Sequence, residues 1–451
     1  MKKKIAKINV LEEKKFLFIL FVVSTIFSLL VLSWNIPENE TLVSYSYVRV
    51  DLIEAFMEDI HQGNVPDFLN AYEHSYGYAL YLPYLGAILN IKEGWKVLLY
   101  TQIGGMFVLL VIFPLEIYYI FHNRLTALIS PVILHIFLGN VLYGFKTDSF
   151  WGMSWALVLG IPIVYKLWKM QWSTKCYILI WIIGLLCTIS NIMRNQNGFV
   201  IGVLVLGVIL LKLFKKEINF IQTIISLVIF ILMYESISTY IPLLVGKALK
   251  LQILDNAAFI WHSLLCGLGY YPNQYGLEWN DVKVAEVVKE LYYYKEYATD
   301  EYATCCKMMF LNILRDNPLF VIDVYLKKFM EMLRYCFEFE FTTYGKEYYY
   351  FYTGKFMVHN ILGPTCIMIV GYICCFRNDV KAAIQLLSRY RGLLFMASLA
   401  IVVGTIEAVL AIPELKYGMS SLAAVGLVPL LGTIILLNEW IVKMHENKED
   451  R

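Results

Sequence analysis

The chain has 451 residues, 59% of them hydrophobic and only 16% charged, with a mean hydropathy of +0.60 and a formal net charge of +2. Soluble domains carry roughly 25% charged residues, so a water-soluble fold of this length is excluded for lack of polar surface to cover it. The balanced charge also gives no argument for nucleic acid or for an acidic partner, and the information lies in where the charges sit.

A window of about 19 residues picks out apolar segments near 16–34, 95–121, 124–142, 149–168, 176–193, 198–213, 220–244, 356–376, 392–412 and 417–441. The first is strongly apolar and lacks a small-residue cleavage site, so it reads as a retained helix rather than a signal peptide. The fold class expected is therefore an all-α polytopic membrane protein with about ten transmembrane helices. Alternate connections differ sharply in Lys and Arg. One set holds Lys2, Lys3, Lys4, Lys7, Lys14 and Lys15, then Arg124, then Lys166, Lys169 and Lys175, then Lys212, Lys215 and Lys216, then Arg377, Lys381, Arg389 and Arg391, and finally Lys443, Lys448 and Arg451. The other set holds Arg49, Lys92, Lys146, Arg194 and Lys416. By the positive-inside rule both termini are cytoplasmic, and 35–94 and 245–355 are exterior. Three parts result: an N-terminal transmembrane module, 1–244, an exterior loop region, 245–355, and C-terminal transmembrane helices, 356–451.

In the first exterior loop, 44–62 reads as an amphipathic helix. Leu52, Ile53, Phe56, Met57 and Ile60 share one face, and Tyr47, Asp51, Glu54 and Glu58 recur on another. Interfacial helices normally offer Lys and Arg to lipid headgroups; an acidic stripe suits a helix that turns its acids toward a protein cleft, or one with a solvated face. The stretch Glu73-His74-Ser75-Tyr76-Gly77-Tyr78 leads into an apolar run, Leu80 to Leu85, that is too short to span, is bounded by Pro83 and Gly86, and reads as a re-entrant or surface segment. Two short exterior turns carry charge against the membrane: Lys146 with Asp148, and Asn191, Arg194, Asn195, Gln196 and Asn197. Such groups either snorkel or bind an anionic headgroup, for which the planar fork of Arg is suited.

The second exterior loop opens with Trp261, His262, Gly267, Gly269, Tyr270, Tyr271, Pro272, Tyr275 and Gly276, turn chemistry packed with aromatics. A sugar-binding cleft uses aromatic faces with polar rims, and so does a structural loop cap. Helices are expected over 281–297 and 301–336, closed by the aromatic-rich 335–352, with no sustained alternation and hence no β-domain. Cys176, Cys187, Cys366, Cys374 and Cys375 fall in apolar runs, and Cys266, Cys305, Cys306 and Cys336 in the loop. No CxxC pair and no Cys/His spacing signals zinc, so no metal site is assigned. There is no internal repeat, P-loop, GxSxG or HExxH.

This layout resembles the GT-C superfamily of integral-membrane glycosyltransferases, which includes the protein O-mannosyltransferases and bacterial lipid-phosphate-sugar-dependent transferases. The motifs that carry the resemblance are Tyr47-Val48-Arg49-Val50-Asp51, Gly63-Asn64-Val65-Pro66, Tyr76-Gly77-Tyr78, Lys146-Thr147-Asp148 and Arg194-Asn195-Gln196-Asn197-Gly198, mainly within 10–215. One departure is that Asp51 is not followed directly by Glu, which leaves Glu54, Glu58 and Asp59 as alternative bases. The resemblance implies an inverting transfer of a sugar from a polyprenyl-phosphate donor to a cell-surface glycan, lipid or protein acceptor on the exterior face of the cell membrane. Asp51 would deprotonate the acceptor, and Arg49 and Arg194 would bind the donor phosphate. Asp148, Lys146, His74, Tyr76, Trp261, His262 and Tyr275 would line the substrates. No cofactor is expected, with a divalent cation left open. Two other classes stand beside it: a surface-polysaccharide polymerase or ligase, which relies on exterior arginines, and a lipid-linked sugar transporter or flippase. The latter needs intramembrane acids, for which the sequence offers Glu116, Glu235 and Glu407.

Overall fold

The computed structural model describes residues 2–35, 47–62, 80–142, 154–193, 195–248, 257–294, 299–338, 340–344, 351–355, 380–410 and 419–449. Helices α1 (Lys2–Asn35), α2 (Tyr47–Gln62), α3 (Leu82–Ile88), α4 (Gly94–Phe121), α5 (Arg124–Leu142), α6 (Ser154–Lys169), α7 (Thr174–Met193), α8 (Asn195–Phe214) and α9 (Phe220–Glu235) come first. A π-helical turn, Ser236–Tyr240, joins α9 to α10 (Ile241–Ala248). Then follow α11 (Ala257–Leu268), α12 (Asp281–Tyr292), α13 (Asp300–Asp316), α14 (Pro318–Glu338), strands β1 (Glu340–Tyr344) and β2 (Phe351–Lys355), α15 (Val380–Arg389), α16 (Arg391–Leu410) and α17 (Met419–Glu449). Apart from 356–376, which lies outside the described residues, the described part of each apolar segment read from the sequence is helical, with 220–244 divided by the π-helical turn.

Among the described residues, four stretches are long and apolar enough to cross a membrane: Glu12–Ser33, Gly94–Phe121, Thr174–Asn191 and Ala424–Met444. Arg124–Leu138, Gly198–Phe214, Phe220–Glu235 and Arg391–Ile406 are shorter apolar helices. Length and composition thus mark a membrane protein. The helix α6 is its centre: all of residues 154–165 are buried, and it packs on α4, α5, α7, α8, α16 and α17. The C-terminal helices are part of the same bundle, with α17 lying on α5 and Thr126 Oγ donating to Asn438 Oδ1 at 3.2 Å.

The Lys/Arg-rich connections gather at one end of this bundle. His122 takes a left-handed conformation (φ 54°) that stops α4, and Asn123 Oδ1 accepts from the backbone N–H groups of Leu125 and Thr126 to start α5, which makes a two-residue reversal feasible. Arg124 lies over Phe16, Lys166 over Tyr119, and Lys169 and Lys215 both over Trp168. Phe121 packs on Tyr390, which precedes α16. Buried Lys212 donates to the Met170 carbonyl (3.0 Å) and to Glu217 (2.7 Å), tying the turn after α6 to the turn after α8.

Residues 257–338 build a second, smaller hydrophobic core from α11, α12, α13 and α14, around Leu265, Leu268, Val284, Val288, Cys306, Phe310 and Val324. This part touches the bundle where α11 and α14 meet α16. The helices expected over 281–297 and 301–336 are found as α12, α13 and α14, the last two divided at Asn317, whose successor Pro318 opens the next helix. Strands β1 and β2 pair antiparallel, Thr342 opposite Thr353. The aromatic-rich closing segment therefore contains a two-stranded ribbon, which the sequence reading did not foresee.

Candidate functional site

The first-loop helix α2 buries Ile53, Phe56 and Met57, the face foreseen from their spacing, and packs on α3 and α4. Met57 fills the notch left by Gly86 on α3, where an added Cβ would also meet Val97 at 2.8 Å. Pro83 stands in the first turn of α3, where its missing N–H costs nothing, and Asn90 (φ 52°) turns the chain back toward α4. Arg49 and Asp51 lie on α2, in its first turn and a half. Glu54 is half-buried, and its carboxylate accepts from the backbone N–H of Gly94 at 2.8 Å, the first residue of α4. An anion at a helix N-terminus satisfies an orphan donor and the helix dipole, so this acid is a cap supplied by another helix. Glu58 is exposed and accepts from Gln62, and Asp59 is half-buried.

These elements sit at the end of α4 opposite to Phe121 and the basic connections. Two hydrogen bonds tie that end together. Tyr81 Oη, just before α3, donates to the Ile237 carbonyl at 2.6 Å, inside the π-helical turn that ends α9. Burial pushes the Tyr81 phenol up to about 12, so it remains a donor at any physiological pH. One turn earlier on α9, Tyr234 accepts from Asn191 near the C-terminus of α7. The return of the first loop and the junction of α7 with α8 thus converge on residues 234–237. Arg194, in that junction, lies outside the described residues, as do His74, Tyr76, Lys146 and Asp148.

The aromatic segment after α10 has a different geometry from an open sugar platform. Trp261 packs on Phe310, with Lys307 above its ring, and Tyr275 packs on Phe320. Both belong to the rim of the small core. His262 is 3% exposed. Its Nδ1 bonds to the Tyr302 hydroxyl and its Nε2 to Asp281 Oδ1 at 3.0 Å. The hydrogen bond from His262 holds the Asp281 carboxyl below its usual range. Cys266, one turn along α11, lies 3.4 Å from the same Nε2. Burial, reinforced by the Asp281 carboxylate, pushes its thiol well up.

No family model, no curated protein and no solved structure matches this chain.

Two further groups complete the small core. Glu331 on α14 accepts from Tyr270 (3.1 Å) and Tyr271 (2.6 Å). Lys328, one turn earlier, is fully buried between the rings of Tyr270 and Tyr325, and burial pushes its ammonium down to about 7. The sequence reading singled out His262 but none of Cys266, Asp281, Tyr302, Lys328 or Glu331. The available signal was helical spacing: His262 and Cys266 are four apart on α11, and Lys328 and Glu331 three apart on α14, so each pair shares a face.

Proposed function

We propose that this chain is a multi-pass membrane glycosyltransferase of the GT-C kind, with about ten spans and both termini in the cytoplasm. It moves a sugar from a polyprenyl-phosphate donor to a cell-surface acceptor at the exterior face. The observation that carries the reading is the convergence of the first loop and the α7–α8 junction on residues 234–237. Those are the two segments to which the chemistry assigns a carboxylate and a phosphate-binding arginine. Asp51 is the base; Glu58 and Asp59 are its alternatives, and Glu54 is the weaker one because it already caps α4. A positioned base contributes roughly 10²- to 10⁴-fold, and cations at the leaving phosphate stabilise charge as it develops. Gathering of the Arg124, Lys166, Lys169 and Lys215 connections at the opposite end supports the orientation. Exposed Leu319, Ile322, Leu326 and Met330 form an apolar stripe on α14, as suits a helix lying on the membrane above such a site.

The test is transfer from a defined lipid-phosphate sugar in membranes at equal protein abundance, paired with the glycan profile of cells lacking the protein. Asp51→Asn is expected to abolish transfer and to fail to restore the profile. Arg194→Lys keeps the charge but loses the fork, and is expected to slow turnover about 10-fold or more, since a charge-assisted hydrogen bond is worth roughly 1.5–3 kcal/mol. Full activity of Asp51→Asn, with activity lost on removal of exterior arginines, would replace this reading with a polymerase or ligase.

A further inference from the structure

Three side chains of different chemistry converge at the surface of the small core. His262 and Cys266 stand on one face of α11, both buried. Asp281 is the first residue of α12, fixed there because Asn280 caps the helix by accepting from Val282 and Lys283 N–H groups at 3.0 and 3.1 Å. The three potential ligand atoms form a triangle. Nε2 of His262 to Oδ1 of Asp281 is 3.0 Å, Nε2 to Sγ of Cys266 is 3.4 Å, and Sγ to Oδ1 is 3.6 Å.

Those edges can be compared with a metal centre. Zinc binds imidazole N and carboxylate O at about 2.0–2.2 Å and thiolate S at about 2.3 Å, usually tetrahedrally. Tetrahedral angles then put neighbouring ligand atoms roughly 3.3–3.6 Å apart. The observed triangle is one face of such a tetrahedron to within a few tenths of an ångström. The ring is also held as a ligating histidine is held, because Nδ1, the nitrogen turned away from the triangle, bonds to the Tyr302 hydroxyl. That hydroxyl donates to Nδ1 when Nε2–H bonds Asp281, and accepts from Nδ1–H when Nε2 is a ligand.

We propose that His262, Cys266 and Asp281 bind one divalent cation of the zinc class. One nitrogen, one sulfur and one oxygen ligand exclude magnesium and calcium, which take oxygen, and favour a borderline transition metal. Binding replaces the Cys266 S–H bond with a sulfur–metal bond and releases that proton to solvent, with no change of oxidation state. The Asp281 side chain is 78% exposed, so the fourth vertex opens to solvent, and the centre keeps a position for water or a substrate oxygen. The site does not depend on the transferase reading, because metal content and sugar transfer are separate measurements.

The experiment uses the full chain purified in detergent, stripped with a chelator and re-equilibrated with Zn(II) or Co(II). One zinc per chain is expected, and the cobalt form is expected to show a near-ultraviolet sulfur-to-cobalt charge-transfer band with the intense visible bands of a tetrahedral ion. Cys266→Ser removes the charge-transfer band. Asp281→Asn changes an exposed side chain, leaves α11 intact, and weakens zinc at least ~10-fold, while Tyr302→Phe keeps all three ligands and weakens it by roughly 10- to 100-fold. Melting temperature checks that Asp281→Asn and Tyr302→Phe remain folded. Substoichiometric zinc in the wild type, a cobalt form without the sulfur band, or Asp281→Asn binding as tightly as wild type would each overturn the proposal and leave a hydrogen-bond network.

Discussion

The bundle and the helical region at 257–338 are both made of packed helices, yet they are held by different means. In the bundle, helices approach where a side chain is missing: Gly105 faces the indole of Trp155, and Gly198 faces Asn191 and the Cys187 carbonyl. Several buried hydroxyls there bond back to their own helix, as Ser28 does to the Ser24 carbonyl and Ser130 to that of Ala127, while Thr126 reaches Asn438 on another helix. In the region 257–338 polar side chains bond between elements. His262 on α11 reaches Asp281 on α12 and Tyr302 on α13, Asn312 on α13 donates to Tyr292 on α12, and Glu331 on α14 accepts from the segment after α11. Lipid is as apolar as leucine, so spanning helices gain little by burying apolar surface against one another and need close backbone approach instead. Where water is the solvent, the hydrophobic effect collapses a chain and buried polar groups need partners, and the bonds between elements in 257–338 follow that pattern.

The largest effect that tests this contrast is expected at Gly198. A Cβ there would stand 2.5 Å from the Cys187 carbonyl, and backbone of a neighbouring helix cannot step aside as a flexible side chain can. Gly198→Leu is expected to cost about 3 kcal/mol and to yield aggregated protein on detergent extraction. Gly207→Ala, where nothing lies within 4 Å, should be neutral or slightly stabilising in its helix. Equal behaviour of the two would mean that the bundle is not built on close approach.

A middle-sized effect is expected at Glu331. Replacing it with Ala removes the shared acceptor of Tyr270 and Tyr271 and should cost about 2 kcal/mol. Hydrogen exchange should accelerate over 257–338 and stay unchanged in α4, α6 and α8. A uniform acceleration would show that the two regions unfold as one.

The smallest effect concerns Lys328. Its folded-state value near 7 lies below the ordinary 10.5, so between the two the unfolded chain holds a proton that the fold has released, and stability rises with pH. Above about pH 8.5 the trend is opposed, because thiols of the unfolded chain ionise while Cys306 and, in the metal-free protein, Cys266 stay protonated in the fold. Thermal unfolding monitored in 257–338 should therefore gain about 1 kcal/mol from pH 7 to pH 8.5. Lys328→Met should abolish that slope; a slope of equal size in the variant would assign it to another group.

How far the sequence foretells each region follows from the same physics. Bundle helices are legible because hydropathy over a window reports burial or lipid exposure alike, and α2 is legible because Ile53, Phe56 and Met57 repeat with the helical period. The π-helical turn at 236–240 is invisible, since hydropathy averaged over a window merges Ser236, Ile237, Ser238, Thr239 and Tyr240 with the apolar residues on either side and carries no sign of a change in helix type. Strands β1 and β2 are five residues each, too short for alternation to stand out. Among the candidate site residues, the role of Glu54 as a cap on α4 depends on a contact between positions forty apart, and the approach of Asp281 to His262 depends on the folded path of the Gly269–Asn280 turn. Neither contact leaves a local pattern.

The bond between Tyr81 and the Ile237 carbonyl also sets an order of events during synthesis. Its two partners are 156 residues apart. At ~5–20 residues per second of translation, roughly ten to thirty seconds pass between the emergence of the tyrosine and that of its acceptor. Through that interval the main described contacts of α2 and α3 are with each other and with α4. The final seating of the first loop waits until α9 has left the ribosome, so the acid-bearing helix matures after the early spans rather than with them.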